Sequence, residues 1–124
     1  MIGQKIRRTS LIKFKYYLDL ENSKKICFLC HQSIAPDELS IHHVIPWSYL
    51  YSDDLWNLVY AHKSCNSSKT NGIPLQQDIE NLKLRNKKLS LLLKQNNKKD
   101  KLVEELNLAI QKDYVNKFWI SCKS

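Results

Sequence analysis

Length, composition and charge exclude several classes of protein. The chain has 124 residues, 43% of them apolar, so it can bury one modest core that a bound metal would help to stabilise. No apolar run reaches the roughly 18–20 residues of a membrane-spanning helix, so no membrane association of that kind is expected. Residues 1–5 lack the apolar stretch of a secretory signal, which predicts a cytoplasmic protein.

The formal net charge of +8 is unevenly distributed. Residues 1–25 carry seven Lys or Arg and two Asp or Glu, residues 26–73 carry two and four, and residues 74–124 carry eleven and six. Such basic flanks could bind a polyanion and hold it over a metal site in the acidic, His- and Cys-rich middle range. The alternative is that the charge only keeps the protein soluble, as in many basic proteins. The same three ranges form the predicted domain organisation.

The N-terminal range, 1–25, predicts a short basic amphipathic helix over residues 5–20. Its apolar face is expected to pack on the core. The residues of that face are Ile6, Leu11, Phe14 and Leu18. Arg7 and Arg8 belong to the basic side, which is either solvated or in contact with a phosphate backbone.

The middle range, 26–73, predicts a hairpin followed by a helix. Residues 39–45 are expected to form a strand that enters a bend at Pro46, and residues 58–60 a second strand after an aromatic loop. A helix is expected from about Ser64, since serine is a favoured N-cap, until Asn71 and Gly72.

The C-terminal range, 74–124, predicts two helices that form an αα-hairpin. Apolar residues recur there at three- and four-residue steps, with a break at residues 96–100. The apolar stripe is either core or a surface for a protein partner or for self-association. It is too short for a coiled coil.

Two pairs of ligand residues predict a structural zinc site. Cys27-x2-Cys30 and His62-x2-Cys65 each have a two-residue spacing and are separated by 31 residues. Zinc accepts thiolate and imidazole ligands, and this spacing lets one turn offer two of them to one ion. The alternatives are buried thiols with a surface His62, and His31 as a rival ligand. A c-type haem and a thioredoxin-like redox pair are excluded, because the only methionine is the first residue and no βαβ pattern surrounds the cysteines.

The adjacent pair His42-His43 is the second chemical signal. Successive strand residues point to opposite faces, but this rule relaxes at a strand end that bends into Pro46. One ring would then bind a divalent cation while the other takes a proton from water, as hydrolysis of a phosphodiester requires. A structural or zinc-related pair is the alternative.

Taken in order, the motifs resemble the HNH endonucleases of the ββα-metal superfamily. After Cys-x2-Cys come His-His-Val-Ile-Pro at residues 42–46, Asp-Asp-x2-Asn-Leu-Val at 53–59 and His-x2-Cys-Asn-x2-Lys at 62–69. The spacing is also similar to the HNH domain of RNA-guided CRISPR effectors. The resemblance covers about residues 26–72. It implies an α+β fold, with a zinc-stapled ββα-metal core between the basic N-terminal helix and the C-terminal helical hairpin.

The resemblance also implies catalytic roles. His43 would be the general base that activates water, while His42 and Asn66 would bind Mg2+ or a similar cation. Asn57 would tie the loop together and hold His43 in orientation. The structural zinc would be held by Cys27, Cys30, His62 and Cys65.

Two residues depart from the usual pattern of the family. His42 stands where most members have an acidic metal ligand, and a neutral ligand favours Mn2+, Ni2+ or Zn2+ over Mg2+. His62 replaces a cysteine of the second zinc pair, which zinc tolerates.

Other side chains are candidates for contact with nucleic acid. Lys63 and Lys69 lie where a phosphate would be met, although a solvated lysine is the ordinary case. Tyr49 and Tyr51 either stack on bases or cover the core, whereas Trp47 is expected to be core.

The sequence thus predicts a metal-dependent endonuclease that hydrolyses phosphodiester bonds, with double-stranded DNA as the expected partner. Two alternatives remain open. One is a non-catalytic, zinc-stabilised module that binds nucleic acid or docks on a partner. The other is a nuclease subunit of a larger complex.

Overall fold

Mixed α+β architecture is seen in a computed structural model that describes residues 11–68 and 72–123. The strands are β1 (Leu39–His43) and β2 (Leu58–His62). The helices are α1 (Lys15–Glu21), α2 (Trp47–Leu50), α3 (Lys63–Ser68), α4 (Gln76–Gln95), α5 (Lys101–Gln111) and α6 (Tyr114–Lys123). Short 3-10 turns cover Ile12–Phe14, Pro36–Glu38 and Leu55–Asn57. Among the described residues, no helix is both long enough and apolar enough to cross a membrane.

The two strands form an antiparallel hairpin. Its register pairs Leu39 with His62 and His43 with Leu58. The first strand ends at His43, two residues earlier than expected, so both histidines occupy regular strand positions. Because paired residues share a face and successive residues alternate, His42 and His43 leave the sheet on opposite faces. The expected relaxation of this rule therefore does not occur at the pair itself.

A cysteine-bearing turn packs alongside β2. The backbone N–H of Phe28 donates to the carbonyl of Tyr60 at 3.0 Å, and Ile26 forms an isolated bridge with Ser33. Within the turn, the N–H of His31 donates to the carbonyl of Cys27 at 2.9 Å. The turn and the end of β2 are thereby brought together from distant parts of the chain.

The helix near the N-terminus packs as its apolar pattern predicts. Phe14 and Leu18 have no exposed surface, and Leu11 is partly buried against the same core. In addition, the hydroxyl of Tyr60 on β2 donates to Asp19 on α1 at 2.7 Å. Residues 5–10 of the predicted helix lie outside the described residues.

Over the described part of the C-terminal range, residues 74–123, the structure has three helices rather than two. A break follows α4 at the predicted place, and Asp100 caps α5 by accepting a hydrogen bond from the N–H of Val103 at 2.9 Å. The expected second helix is divided before Tyr114, where Asp113 adopts a positive φ of 53°. This turn lets the ring of Phe118 stack on Trp56, with 5.6 Å between ring centroids and 16° between ring planes.

Candidate functional site

Four metal-ligand side chains converge beside the hairpin. The ligand atoms of Cys27, Cys30, His62 and Cys65 all lie within 4.8 Å of one another. The Nδ1 atom of His62 lies 3.3 Å from Sγ of Cys30 and 3.8 Å from Sγ of Cys65. In tetrahedral zinc sites with ordinary bond lengths, such sulfur and nitrogen ligands are separated by about 3.5 Å. The cluster therefore fits zinc binding by both distance and donor type.

The backbone around the cluster orients its ligands. Nε2 of His62 lies 3.1 Å from the carbonyl oxygen of Ser33, so its N–H can donate there and leave Nδ1 for a metal. The N–H groups of Cys30 and His62 donate to Sγ of Cys27 at 3.5 and 3.4 Å. Orientation of a metal-binding histidine by a carbonyl is a usual feature of zinc sites.

Burial and the neighbouring groups of the cluster shift the pKa values of the thiols. Burial alone would raise the pKa of Cys27, but the backbone N–H donors around its sulfur lower that pKa to about 6. Burial, together with the sulfur atoms of Cys30 and Cys27, raises the pKa of Cys65 to about 11. A cation among these sulfurs would favour the thiolate forms, as metal binding by cysteine requires.

A second group joins β1 to α3. Nδ1 of His42 lies 2.7 Å from Oδ1 of Asn66, and His42 is only 6% exposed. The structure thus brings together the two side chains that the resemblance assigns to a divalent cation. Imidazole nitrogen and carboxamide oxygen are both suitable ligand atoms. A cation held between these two atoms would replace their hydrogen bond.

On the opposite face of β1, His43 contacts an acidic side chain. Its Nε2 lies 2.7 Å from Oδ1 of Asp53, and the two side chains are 10% and 15% exposed. Asp53 belongs to the family pattern at residues 53–59, but the resemblance assigned it no role. The available signal was an acidic pair, Asp53-Asp54, that follows His43 within the loop before Asn57.

The loop between the strands is closed by Asn57, which has no exposed surface. Its Oδ1 accepts a hydrogen bond from the N–H of Ile45 at 2.8 Å, and its Nδ2 donates to the carbonyl of Ile45 at 2.9 Å. Its own carbonyl accepts from the N–H of Val44 at 3.0 Å. These contacts fix the chain that leaves β1 immediately after His43.

Helix α4 supports the same loop from its buried side. Arg85 is 7% exposed and donates to the carbonyls of Leu58 at 2.6 Å and Leu55 at 2.9 Å. Asn86 donates to the carbonyl of Trp56 at 3.0 Å. Burial raises the pKa of Glu21, whose Oε2 lies 3.5 Å from the Arg85 guanidinium. The segment that carries Asn57 is therefore held at three carbonyl groups by α4.

The predicted nucleic-acid contacts are only partly within the described residues. Lys63 is exposed at the start of α3, next to the zinc-ligand position of His62. Arg7, Arg8 and Lys69 lie outside the described residues, so their predicted contacts remain predictions.

Comparison with known proteins identifies the class of this segment. A family model for HNH endonucleases matches residues 27–75, a range that contains both groups of side chains. The comparisons with curated proteins and with solved structures returned no match. The match supports the predicted resemblance to HNH endonucleases over residues 27–75 and indicates a nuclease-type function on nucleic acid. The similarity to the HNH domain of RNA-guided CRISPR effectors remains a prediction.

Proposed function

We propose that the protein is a metal-dependent HNH endonuclease that hydrolyses phosphodiester bonds in double-stranded DNA. The observation that carries the proposal is the pair of contacts at one strand end, His43 with Asp53 and His42 with Asn66, inside the HNH-matching segment. The hairpin followed by α3 supports a ββα-metal core. The basic flanks would hold the DNA backbone without reading its sequence.

His43 would act as the general base. If its Nε2–H donates to Asp53, the neutral ring carries its lone pair on Nδ1, which can accept a proton from water. The resulting hydroxide attacks phosphorus, and the bond from phosphorus to the leaving oxygen breaks. Asp53 would hold the ring in this tautomer and stabilise the imidazolium that forms.

His42 and Asn66 would hold the divalent cation, which is Mg2+ or a softer ion such as Mn2+ or Ni2+. When bound, that ion would neutralise phosphate charge and stabilise the leaving oxygen. The zinc ligands would have a separate, structural role. Because Cys65 and Asn66 are neighbours on α3, fixing Cys65 at the zinc site also fixes the helix that presents Asn66 to His42.

A nuclease subunit is the second candidate, and one observation favours it. Leu84 and Leu91 lie seven residues apart on α4 and are 65% and 61% exposed. Positions seven apart fall on one helix face, so this face would suit a protein partner or a second copy of the chain. Sedimentation of the purified protein separates a lone monomer from an associated form.

Nicking of supercoiled plasmid tests the enzyme proposal. The unmodified protein and His43→Ala are compared in Mg2+, Mn2+ and Ni2+, with zinc content measured to confirm folding. We expect the substitution to reduce nicking at least about a hundredfold, since it removes the general base. The control is His31→Asn, because His31 is exposed and asparagine tolerates its positive φ of 66°. If the unmodified protein leaves both DNA and RNA intact with every metal, the proposal fails.

A further inference from the structure

Tyr51 has an unusual backbone conformation for a large exposed side chain. It ends α2 with φ of 55° and ψ of 30°, in the left-handed region, and is 70% exposed. The other described non-glycine residues with positive φ are Lys25, His31, Asn97 and Asp113. Left-handed positions favour glycine or asparagine, so an aromatic residue there carries a conformational cost. The 70% exposure of Tyr51 shows that core burial does not offset that cost.

The ring of Tyr51 is nevertheless held in one place. Its backbone N–H donates to the carbonyl of Trp47 at 2.7 Å. The two rings meet edge to face, with 5.2 Å between centroids and 74° between ring planes. Trp47 itself is partly buried, so it forms a fixed support for an exposed ring.

The backbone of Tyr51 lies close in the chain to the candidate catalytic pair, His43 and Asp53. Tyr51 precedes Asp53 by two residues, so their Cα atoms are at most about 7 Å apart. Asp53 contacts His43 directly. Successive nucleotides of one DNA strand rise by about 3.4 Å, so a base within one or two nucleotides of a phosphate at His43 would be within reach of Tyr51.

We infer that Tyr51, supported by Trp47, is a stacking platform for a nucleobase next to the cleaved phosphodiester. The inference rests on the proposed function and specifies its substrate. Inside a continuous duplex both faces of each base are covered by neighbours, so Tyr51 can stack only on a base that has left the stack. The preferred substrate is therefore duplex DNA with an unpaired nucleotide near the scissile bond.

The left-handed backbone of Tyr51 allows the effect of its ring to be separated from the effect of its Cβ atom. Tyr51→Ala removes the ring but keeps a Cβ atom in the left-handed region, whereas Tyr51→Gly removes both. We expect Tyr51→Gly to melt a few degrees above Tyr51→Ala, because glycine adopts this conformation without the Cβ penalty. Both variants are expected to lose the same binding affinity.

Binding is measured with the full chain carrying His43→Ala, so that the DNA is not cut. The probes are a duplex with one unpaired 2-aminopurine nucleotide and the same duplex fully paired. We expect Tyr51→Ala to weaken binding to the first probe about tenfold and to the second within twofold, as loss of one base–aromatic stack implies. Tyr51→Phe should restore both binding and quenching of 2-aminopurine fluorescence. The control is Tyr16→Ala, which removes another exposed tyrosine, 48% exposed, on α1.

The inference is overturned if Tyr51→Ala binds each probe as tightly as its parent, the chain that carries only His43→Ala. It is also overturned if Tyr51→Ala weakens binding to the two probes by the same factor. Cleavage by the chain with His43 intact is followed in parallel. If the chain cleaves DNA and Tyr51→Ala cleaves it equally fast, only the stacking role of Tyr51 is contradicted. If binding depends on Tyr51 but the chain with His43 intact cleaves no DNA, only the enzyme proposal is contradicted. Failure to bind either probe overturns both.

Discussion

Single residues at the end of β1 show how neighbours in sequence acquire different partners. The alternation of a strand sends His42 and His43 to opposite faces, where one meets Asn66 and the other meets Asp53. Because the two rings do not share a face, each can be fixed by its own hydrogen bond. The proposed mechanism assigns one task to each of these fixed rings, cation binding to His42 and proton transfer to His43.

The role of Asp53 can be tested by comparing its substitution with the same substitution at Asp54. We expect Asp53→Asn to lower kcat for DNA cleavage about a hundredfold or more, because an amide neither enforces the tautomer nor stabilises the imidazolium of His43. KM should change little, since Asp53 is not proposed to contact DNA. The measurement is a steady-state cleavage assay with the best of the tested metals.

Asp54→Asn is the matched control for this experiment. The carboxylate of Asp54 accepts a hydrogen bond from the hydroxyl of Ser52 at 2.6 Å instead of contacting His43. It should therefore keep kcat near that of the unmodified protein. An equal loss of activity in the two variants, or an active Asp53→Asn, would contradict a positioning role for Asp53.

The sequence could indicate His42, His43, Asn57 and Asn66 because their types and spacing are local signals. It could not select Asp53 over Asp54 as the partner of His43. That choice depends on the path of the loop after α2, which is set by contacts of Asn57 and α4 with distant parts of the chain. Which of two adjacent loop residues contacts His43 depends on how the chain folds and not on the spacing of residues in the sequence.

At the scale of elements, α4 is both a core helix and a support for the loop. Leu82, Leu89 and Leu93 lie on the buried face that the periodicity predicts, and the gap in that pattern is filled by Arg85 and Asn86. Both residues are buried because they donate to carbonyl groups of the segment 55–58. Buried polar side chains are stable only when such partners exist.

Substitution of Arg85 should destabilise the whole fold. In Arg85→Met, Glu21 loses its buried partner and two carbonyls lose their donors. We expect the free energy of unfolding to fall by about 3–5 kcal/mol, the usual cost of breaking a buried ion pair. The measurement is urea denaturation followed by circular dichroism.

Lys87→Met is the matched control, because Lys87 is exposed on the same helix. Its effect should stay within about 0.5 kcal/mol, as for ordinary surface changes. The double variant with Glu21→Gln and Arg85→Met should recover part of the lost free energy of unfolding, since no unpaired buried carboxylate remains. If Arg85→Met is no less stable than the control, α4 does not hold the loop as described.

The C-terminal elements show where periodicity stops being informative. Leu106, Ile110 and Tyr114 continue one helical repeat, and neither glycine nor proline interrupts it. The chain nevertheless turns at Asp113, because the following helix places Phe118 against Trp56 of the loop. A tertiary contact of this kind has no local signature, so the sequence predicts two helices in the C-terminal range, where the structure has three over residues 74–123.

At the scale of the whole molecule, the zinc-ligand cluster connects parts of the chain that are distant in sequence. One cysteine pair lies in a turn beside β2, and the other ligands lie at the end of β2 and in α3. The cluster could be predicted from sequence because each ligand pair is local. Its position relative to His42 could not, since it depends on how α3 packs against the hairpin.

Removal of zinc should therefore affect both stability and the candidate cation site. We expect about one zinc per chain in the purified protein, and a melting temperature that falls when a strong chelator is added, because a ligand that binds only the folded state stabilises it. At a free zinc concentration of 100 times Kd the stabilisation is about 2.7 kcal/mol. Zinc content is measured by mass spectrometry and unfolding by calorimetry.

Two cysteine variants make this test specific. Cys65→Ser removes a ligand and should lower zinc content, melting temperature and DNA cleavage together, since Asn66 follows Cys65 on α3. Cys122→Ser changes a free thiol on α6, outside the cluster, and should leave all three unchanged. Zinc content well below one per chain in the unmodified protein would show that the four side chains do not hold a structural ion. If Cys65→Ser lost zinc but cleaved DNA normally, the geometry of His42 and Asn66 would not depend on the zinc site.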